Sequence, residues 1–135
     1  MHPVAHALTT PDKPAYIMAA TGETVTYRDL DERANQGAHL LRSLGLKRGE
    51  GIAVLMDNSP RYLEVMWAAE RTGVYCTCLS SKLTAAEAAY IIRDGDCRVL
   101  IVSKGCGEVA AALVPMLDDV RIGRASCRER VWTVV

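Results

Sequence analysis

GIAVLMDNSPRYLEVMWAAERTGVYCTCLSSKLTAAEAAYIIRDGDCRVLIVS, residues 51–103, is the stretch on which the fold turns. It opens with Gly51-Ile52-Ala53-Val54-Leu55-Met56, a short and almost purely apolar run. Such runs belong to strands covered on both faces. Asn58-Ser59-Pro60 then opens a helix, with proline favoured at its first position, and Tyr62, Met66 and Ala69 fall on one face of it. Gly73 ends that helix, and Val74 to Leu79 reads as the next strand. Thr84-x-x-Glu87 is a capping box for a helix carrying Ala86, Tyr90 and Ile91, closed near Asp94-Gly95. Arg98 to Ser103 is again a buried strand, and Glu108 to Met116 the following helix. Strands alternating with helices at this pitch specify a parallel, doubly wound α/β sheet.

Working outward toward the N-terminus, Leu30, Ala34, Ala38, Leu41 and Leu44 recur at helical spacing. Thr26-x-x-Asp29 resembles a capping box at the start of that helix, and Gly45 supplies its left-handed end. Thr10-Pro11-Asp12-Lys13-Pro14 is a turn, because two prolines in four residues exclude a helix interior. Ala15–Met18 and Thr24–Thr26 flank the turn Thr21-Gly22-Glu23 as a hairpin, and a short helix is expected over His2–Leu8.

The chain of 135 residues is one domain's worth, half apolar, with zero formal net charge. A balanced charge provides no field for nucleic acid or an anionic membrane. There is no signal-peptide pattern at Met1-His2-Pro3-Val4, and no apolar run nears the ~20 residues of a membrane helix. A cytoplasmic location is the expectation. Five cysteines at irregular spacing do not make a disulfide framework. Cys76 and Cys78 would share one face of a strand, yet no second ligand pair follows to complete a zinc site. They read as small buried hydrophobes. His39 is expected to face solvent, and His2 and His6 have no evident partner.

A further strand is due after Val120. The segment Ile122-Gly123-Arg124-Ala125-Ser126-Cys127-Arg128-Glu129-Arg130-Val131 has neither strand alternation nor a helical apolar face. It coincides with one reading frame of a short-read sequencing adapter, ATC GGA AGA GCG TCG TGT AGG GAA AGA GTG, although Arg121 and Trp132 do not extend that frame. The alternative is a genuine basic tail for an acidic partner. The expected organisation is therefore native sequence over 1–121 and a non-native tail over 122–135.

Several blocks, in order, resemble the N-terminal region of the AMP-binding acyl-CoA synthetase, or adenylate-forming, family. They are Pro11-Asp12-Lys13-Pro14-Ala15; Thr26-Tyr27-Arg28-Asp29-Leu30 with Asn35 and Leu40-Leu41; and Leu44-Gly45-Leu46-Lys47-Arg48-Gly49-Glu50 running into Gly51–Val54. Asn58-Ser59-Pro60 with Tyr62, Ala68-Ala69 and Thr72-Gly73-Val74 follows, then Leu83-Thr84-Ala85-Ala86-Glu87 with Tyr90-Ile91-Ile92. Many members carry Asn just before the last block, where Leu79-Ser80-Ser81-Lys82 stands here, which leaves the subfamily and its acid open.

The resemblance implies an enzyme that joins a carboxylic, chiefly fatty, acid to the α-phosphate of ATP and passes the acyl group to coenzyme A or a carrier protein. Magnesium, backbone N–H groups around the phosphates and a lysine would manage the developing charge. The family's Ser/Thr/Gly-rich loop ending in Pro-Lys-Gly does not occur in this sequence, and Ser103-Lys104-Gly105-Cys106-Gly107 lacks its hydroxyls. No catalytic, cofactor-binding or metal-ligating residue is therefore assigned, and the fragment itself is expected to be inactive and to hold none of ATP, Mg and CoA. Arg61, Tyr62, Ser80, Ser81 and Lys82 are the substrate-proximal candidates, since loops after parallel strands face the ligand crevice. Two other readings stand beside this one. Gly105-Cys106-Gly107-Glu108-Val109-Ala110 fits a dinucleotide fingerprint of an oxidoreductase, and a short α/β chain could be a non-catalytic binding protein acting through an open sheet edge.

Overall fold

The computed structural model describes residues 2–125 and 133–134. A short helix α1 (Val4–Thr9) leads into an antiparallel hairpin of β1 (Pro14–Ile17) and β2 (Thr24–Thr26). Helix α2 (Tyr27–Ser43) follows, then strand β3 (Gly51–Leu55), α3 (Arg61–Thr72), β4 (Tyr75–Leu79), α4 (Ala85–Asp94), β5 (Cys97–Ser103) and α5 (Gly107–Leu113). Pro115 lacks the N–H that an α-helical turn would use, and α5 tightens into a 3-10 turn over Val114–Met116. Strands β6 (Arg121–Ala125) and β7 (Thr133–Val134) complete the described chain.

Four parallel strands stand in the order β4-β3-β5-β6, with β7 antiparallel on β6. From β3 the chain steps one way to β4 and then back across to β5. A right-handed crossover carries its helix to opposite faces when the direction of travel reverses. That is why α3 and α4 lie on different faces. On one face Ile52, Val54, Val99 and Ile101 meet Leu41 of α2 and Val65, Ala68 and Ala69 of α3. On the other, Ala53, Leu55, Leu100 and Val102 meet Ala88, Ala89 and Ile92 of α4 and Leu113 of α5. Every residue of β3 is buried, as expected for the central strand of a doubly wound sheet.

Both capping boxes form: the Thr26 and Thr84 hydroxyls accept from the N–H groups of Asp29 and Glu87, and each carboxylate accepts from its threonine's backbone. Gly73 closes α3 in the left-handed region at φ 72°.

The structure corrects several sequence expectations. The buried face of α3 is Glu64, Val65, Ala68 and Ala69, with Met66 turned outward, and that of α4 is Ala88, Ala89 and Ile92, with Tyr90 66% exposed. A short helix has several near-equivalent apolar faces, and the sheet chose the one with small residues that permit close approach. Cys78 is exposed and Cys76 half-buried, because β4 stands at the edge of the sheet with one neighbour among the described residues. His2 stacks edge-on against Trp67, and His6 lies against Tyr27, while His39 is exposed as anticipated. The strand due after Val120 is present at Arg121–Ala125, parallel to β5 from Val99↔Arg121 to Ser103↔Ala125. Parallel pairing uses backbone groups, so it does not require the side-chain alternation that is missing there. The rest of the adapter-like segment, residues 126–131, and Cys127 with it lie outside the described residues.

Candidate functional site at the carboxyl end of the sheet

In an open parallel sheet, ligands lie beyond the carboxyl ends of the strands, where the strand order reverses. Here that point is between β3 and β5. The chain leaving β3 turns at Asp57, whose backbone N–H donates to the Ser103 hydroxyl at the end of β5, 3.2 Å away. Ser103 is buried, so this bond ties the two strand ends together across the switch point. The Asp57 carboxylate lies directly against Gly105, in the space a side chain at that position would need.

This arrangement bears on the phosphate-binding readings. Gly105 sits in a 3-10 turn, Cys106 is buried, and α5 has only seven residues. A phosphate approaching the turn would meet the Asp57 carboxylate rather than a cradle of free N–H groups. The turn does not fit the phosphates of ATP or of a dinucleotide.

The first turn of α3 is fastened from three sides. Tyr16 of the hairpin donates its hydroxyl to the Pro60 carbonyl at 2.6 Å. The Arg61 N–H donates to the Ser59 hydroxyl at 3.2 Å. Glu64, 1% exposed, accepts from Arg61 Nη1 at 2.8 and 3.1 Å and from Arg33 Nη1 of α2 at 3.0 Å. Burial first, and the Glu64 charge second, push the Tyr16 phenol well above its ordinary value. A second ion pair, Arg71 to Asp31, joins the same two helices further along.

The five residues singled out from sequence all stand toward this end of the sheet. Arg61 is committed to Glu64, so its charge is largely neutralised. Tyr62 is half-buried over β4, its phenol pushed up to about 12 by hydrogen bonding with the Cys78 thiol and then by burial. Ser80, Ser81 and Lys82, all exposed, follow the buried Leu79 at the end of β4, and the Lys82 N–H donates to the Ser80 hydroxyl at 3.3 Å. Among the described residues, no hydrogen bond joins this loop to Arg61 or Tyr62. Asp57, Ser103, Glu64, Arg33 and Tyr16 were not selected from sequence. Only the Arg61–Glu64 spacing of three offered a signal.

At the opposite, amino-terminal end lies an open cavity of about 570 Å³ between α4, β5 and the 3-10 turn, lined by Ile92, Arg93, Cys97, Arg98 and Met116 among others. Arg93 closes part of it by donating to the Met116 carbonyl at 2.9 Å. Among the described residues, no three His, Cys, Asp or Glu side chains gather as a metal site. No described helix is long and apolar enough to cross a membrane.

Fold and crevice together define an open, doubly wound α/β protein built to present loops at the carboxyl ends of its strands. The family model described as "AMP-binding enzyme" matches residues 4–131, and the chain belongs to that family. Among curated relatives, the fatty acid–[acyl-carrier-protein] ligase ScoC of Streptomyces coeruleorubidus is 32% identical over 104 residues, 77% of this chain and 20% of its own. The 3-hydroxybenzoate–CoA ligase of Aromatoleum sp. is 33% identical over 100 residues, 74% of this chain and 18% of its own. The solved Mycobacterium tuberculosis fatty acyl CoA synthetase superposes with a TM-score of 0.77 at 27% identity, over 82% of this chain and 22% of that one. The chain thus spans about a fifth of the length of the curated relatives it matches.

Proposed function

We propose that this chain is the N-terminal sheet-bearing part of an acid–CoA ligase, which activates a carboxylic acid with ATP and magnesium to an acyl-adenylate and transfers it to coenzyme A. The observation that carries the reading is the family match over nearly the whole chain, laid onto a parallel sheet with a reversal of strand order. A fatty acid is the favoured substrate, since two of the similar proteins above carry fatty acids in their names. The 3-hydroxybenzoate ligase keeps aryl acids as the second class to test. The reaction belongs to the cytoplasm, where ATP and coenzyme A are supplied.

In this reading the present residues support and orient; they do not make or break bonds. Asp57 and Ser103 hold the crevice floor. The Arg61–Glu64–Arg33 cluster fixes the first turn of α3, and Tyr62 with Ser80, Ser81 and Lys82 forms a rim beside the acyl or nucleotide sites. The phosphates, the magnesium and the reactive carboxylate are held by residues outside this chain, so the 135-residue chain is inactive alone.

The test is ATP–pyrophosphate exchange with a panel of fatty and aryl acids, on the complete product of the source gene and on this chain. Exchange by the former and none by the latter is the expected result. A complete product silent with every acid would remove the ligase reading, and exchange by the short chain would mean the site is misplaced. Resequencing across codon 121 tests the proposed boundary. A frame continuing to a Ser/Thr/Gly-rich loop with Pro-Lys-Gly identifies residues 122–135 as non-native.

A further inference from the structure

Strand β4 ends the sheet on one side, and no described strand pairs with its outer edge. The last described strand, β7, lies at the opposite end of the sheet. The hydrogen bonds of β4 show which of its backbone groups that leaves over. The Tyr75 N–H donates to the Glu50 carbonyl at 2.8 Å, so Tyr75 turns its backbone toward β3. In a parallel ladder alternate residues do so, which assigns Tyr75, Thr77 and Leu79 to the β3 side. Cys76 and Cys78 therefore direct their N–H and C=O groups outward.

Open edges are normally guarded by charge, proline, a bulge or a covering element. β4 reads Tyr-Cys-Thr-Cys-Leu, with no charge and no proline. Its register with β3 runs without a bulge from Gly51↔Tyr75 to Leu55↔Leu79. Tyr75 is 71% exposed and Cys78 is exposed, so neither is accounted for by packing within the chain.

We propose that the outer edge of β4 is a dimerisation surface, on which a second copy of this chain adds its own β4 antiparallel about a two-fold axis through Thr77. The sequence of the strand selects this occupant. Reading outward from Thr77, Cys76 falls opposite Cys78 of the second copy, and Tyr75 opposite its Leu79. Each exposed side chain then meets a less exposed one: Tyr75 the buried Leu79, and Cys78 the half-buried Cys76. The two Thr77 residues face each other at the axis, a favourable cross-strand pair, and no like charges are opposed. Because Cys76 and Cys78 carry the outward backbone groups, each Cys76–Cys78 pair exchanges both of its N–H···O bonds. An antiparallel strand on a parallel sheet is already present in this fold as β7 on β6. A ladder of this length is smaller than the ~1,000 Å² of a stable interface, so the dimer is weak and reversible. The inference does not rest on the ligase reading, since it uses only β3 and β4.

The experiment is analytical ultracentrifugation of the 135-residue chain, carrying Cys127→Ser, under reducing conditions over a range of concentrations. The expected result is a monomer–dimer equilibrium. Cys78→Pro removes one outward N–H from each copy and none from the β3 ladder, and should weaken association by about 10-fold or more. If circular dichroism shows that the proline variant does not fold, Cys78→Lys places a charge at the same exposed position and should weaken association likewise. Register is read by oxidation. Cys76→Ser and Cys78→Ser chains, each with Cys127→Ser, are treated with glutathione disulfide separately and mixed. Across the proposed ladder the remaining thiols lie on Cα atoms about 5.5 Å apart, within disulfide reach. One S–S bond forms, and two electrons and two protons pass to glutathione disulfide, which leaves as two glutathione thiols. Covalent dimers should form in the mixture and not in either variant alone. A chain that stays monomeric at every concentration would overturn the proposal, as would association undiminished in the folded Cys78 variant. Cross-linking that does not favour the mixture would overturn the two-fold axis through Thr77.

Discussion

Glu64 receives both oxygens' worth of hydrogen bonding from Arg61, at 2.8 and 3.1 Å, while almost wholly removed from solvent. With Arg33 from α2 as a second cation, it joins the helix that begins at the crevice to the helix that precedes the sheet. Removing one partner of a buried pair leaves the others uncompensated, which is worth about 3 kcal/mol or more. Glu64→Ala should therefore lower stability by about 3 kcal/mol. Arg61→Ala should cost less, because Arg33 still neutralises the carboxylate. Urea unfolding of both variants checks the order. Equal losses would mean that Arg33 contributes little.

The cap at the start of α2 gives a pH-dependent counterpart. The Thr26 hydroxyl bonds, first, and its backbone N–H, after burial's opposing effect, hold the Asp29 carboxyl below its usual 3.8. A carboxyl lowered on folding contributes stability that is present above its unfolded value and lost as pH falls through its folded value. Thr26→Ala should cost about 1 kcal/mol at neutral pH. The gap between wild type and variant should then narrow below pH 3.8, as Asp29 takes up its proton. Thermal melts across that range measure it, and a constant gap would contradict the linkage.

The same cap illustrates what was legible in the sequence. Thr26, Asp29, Thr84, Glu87, Gly45 and Gly73 act within one turn of chain, and local chemistry of that kind can be read residue by residue. The strand–helix alternation was readable too, because each element carries its own period. Which face of α3 or α4 goes inward was not, since Tyr62–Met66 and Val65–Ala69 both satisfy helical spacing. The crevice was hidden for a similar reason. Asp57 and Ser103 are 46 residues apart, and only the strand order makes them neighbours. Of the five candidates chosen by the loop rule, Arg61 proved to be engaged by Glu64, which the spacing of three hinted at and the rule ignored. β6 went unread because its pairing is carried by the edge of β5 and not by its own side chains.

Gly105 tests the crevice floor. A methyl group there meets the outer end of the exposed Asp57 side chain, which can turn aside, so Gly105→Ala should destabilise by no more than about 1 kcal/mol. Asp57→Ala removes the obstacle while keeping the backbone bond to Ser103. In that background the glycine substitution should cost less, with a coupling of about 0.5 kcal/mol between two residues in contact. Denaturant unfolding of the two single variants and the double variant closes the cycle. Additive losses would place the strain elsewhere.

The thiols of β4 should differ in chemistry as they differ in exposure. Burial first, and the neighbouring Cys78 second, push the Cys76 thiol from 9.0 up to about 12. It remains protonated near neutrality, and alkylation at pH 8 should label Cys78 well before Cys76, because the thiolate is the nucleophile. Unfolding releases Cys76 to its ordinary value. A group raised on folding contributes stability that is intact below its unfolded value and is lost as pH climbs through the folded one. The window is therefore pH 9 to about 12, with stability falling as the unfolded chain ionises first. Tyr62, also pushed to about 12, adds to the same slope from pH 10 upward. Cys76→Ala should make the fall between pH 9 and 10 shallower, before the phenol contributes. Peptide mapping after timed alkylation and melting curves at pH 8, 9 and 10 test both statements. Equal labelling of the two cysteines would mean that α3 does not cover Cys76.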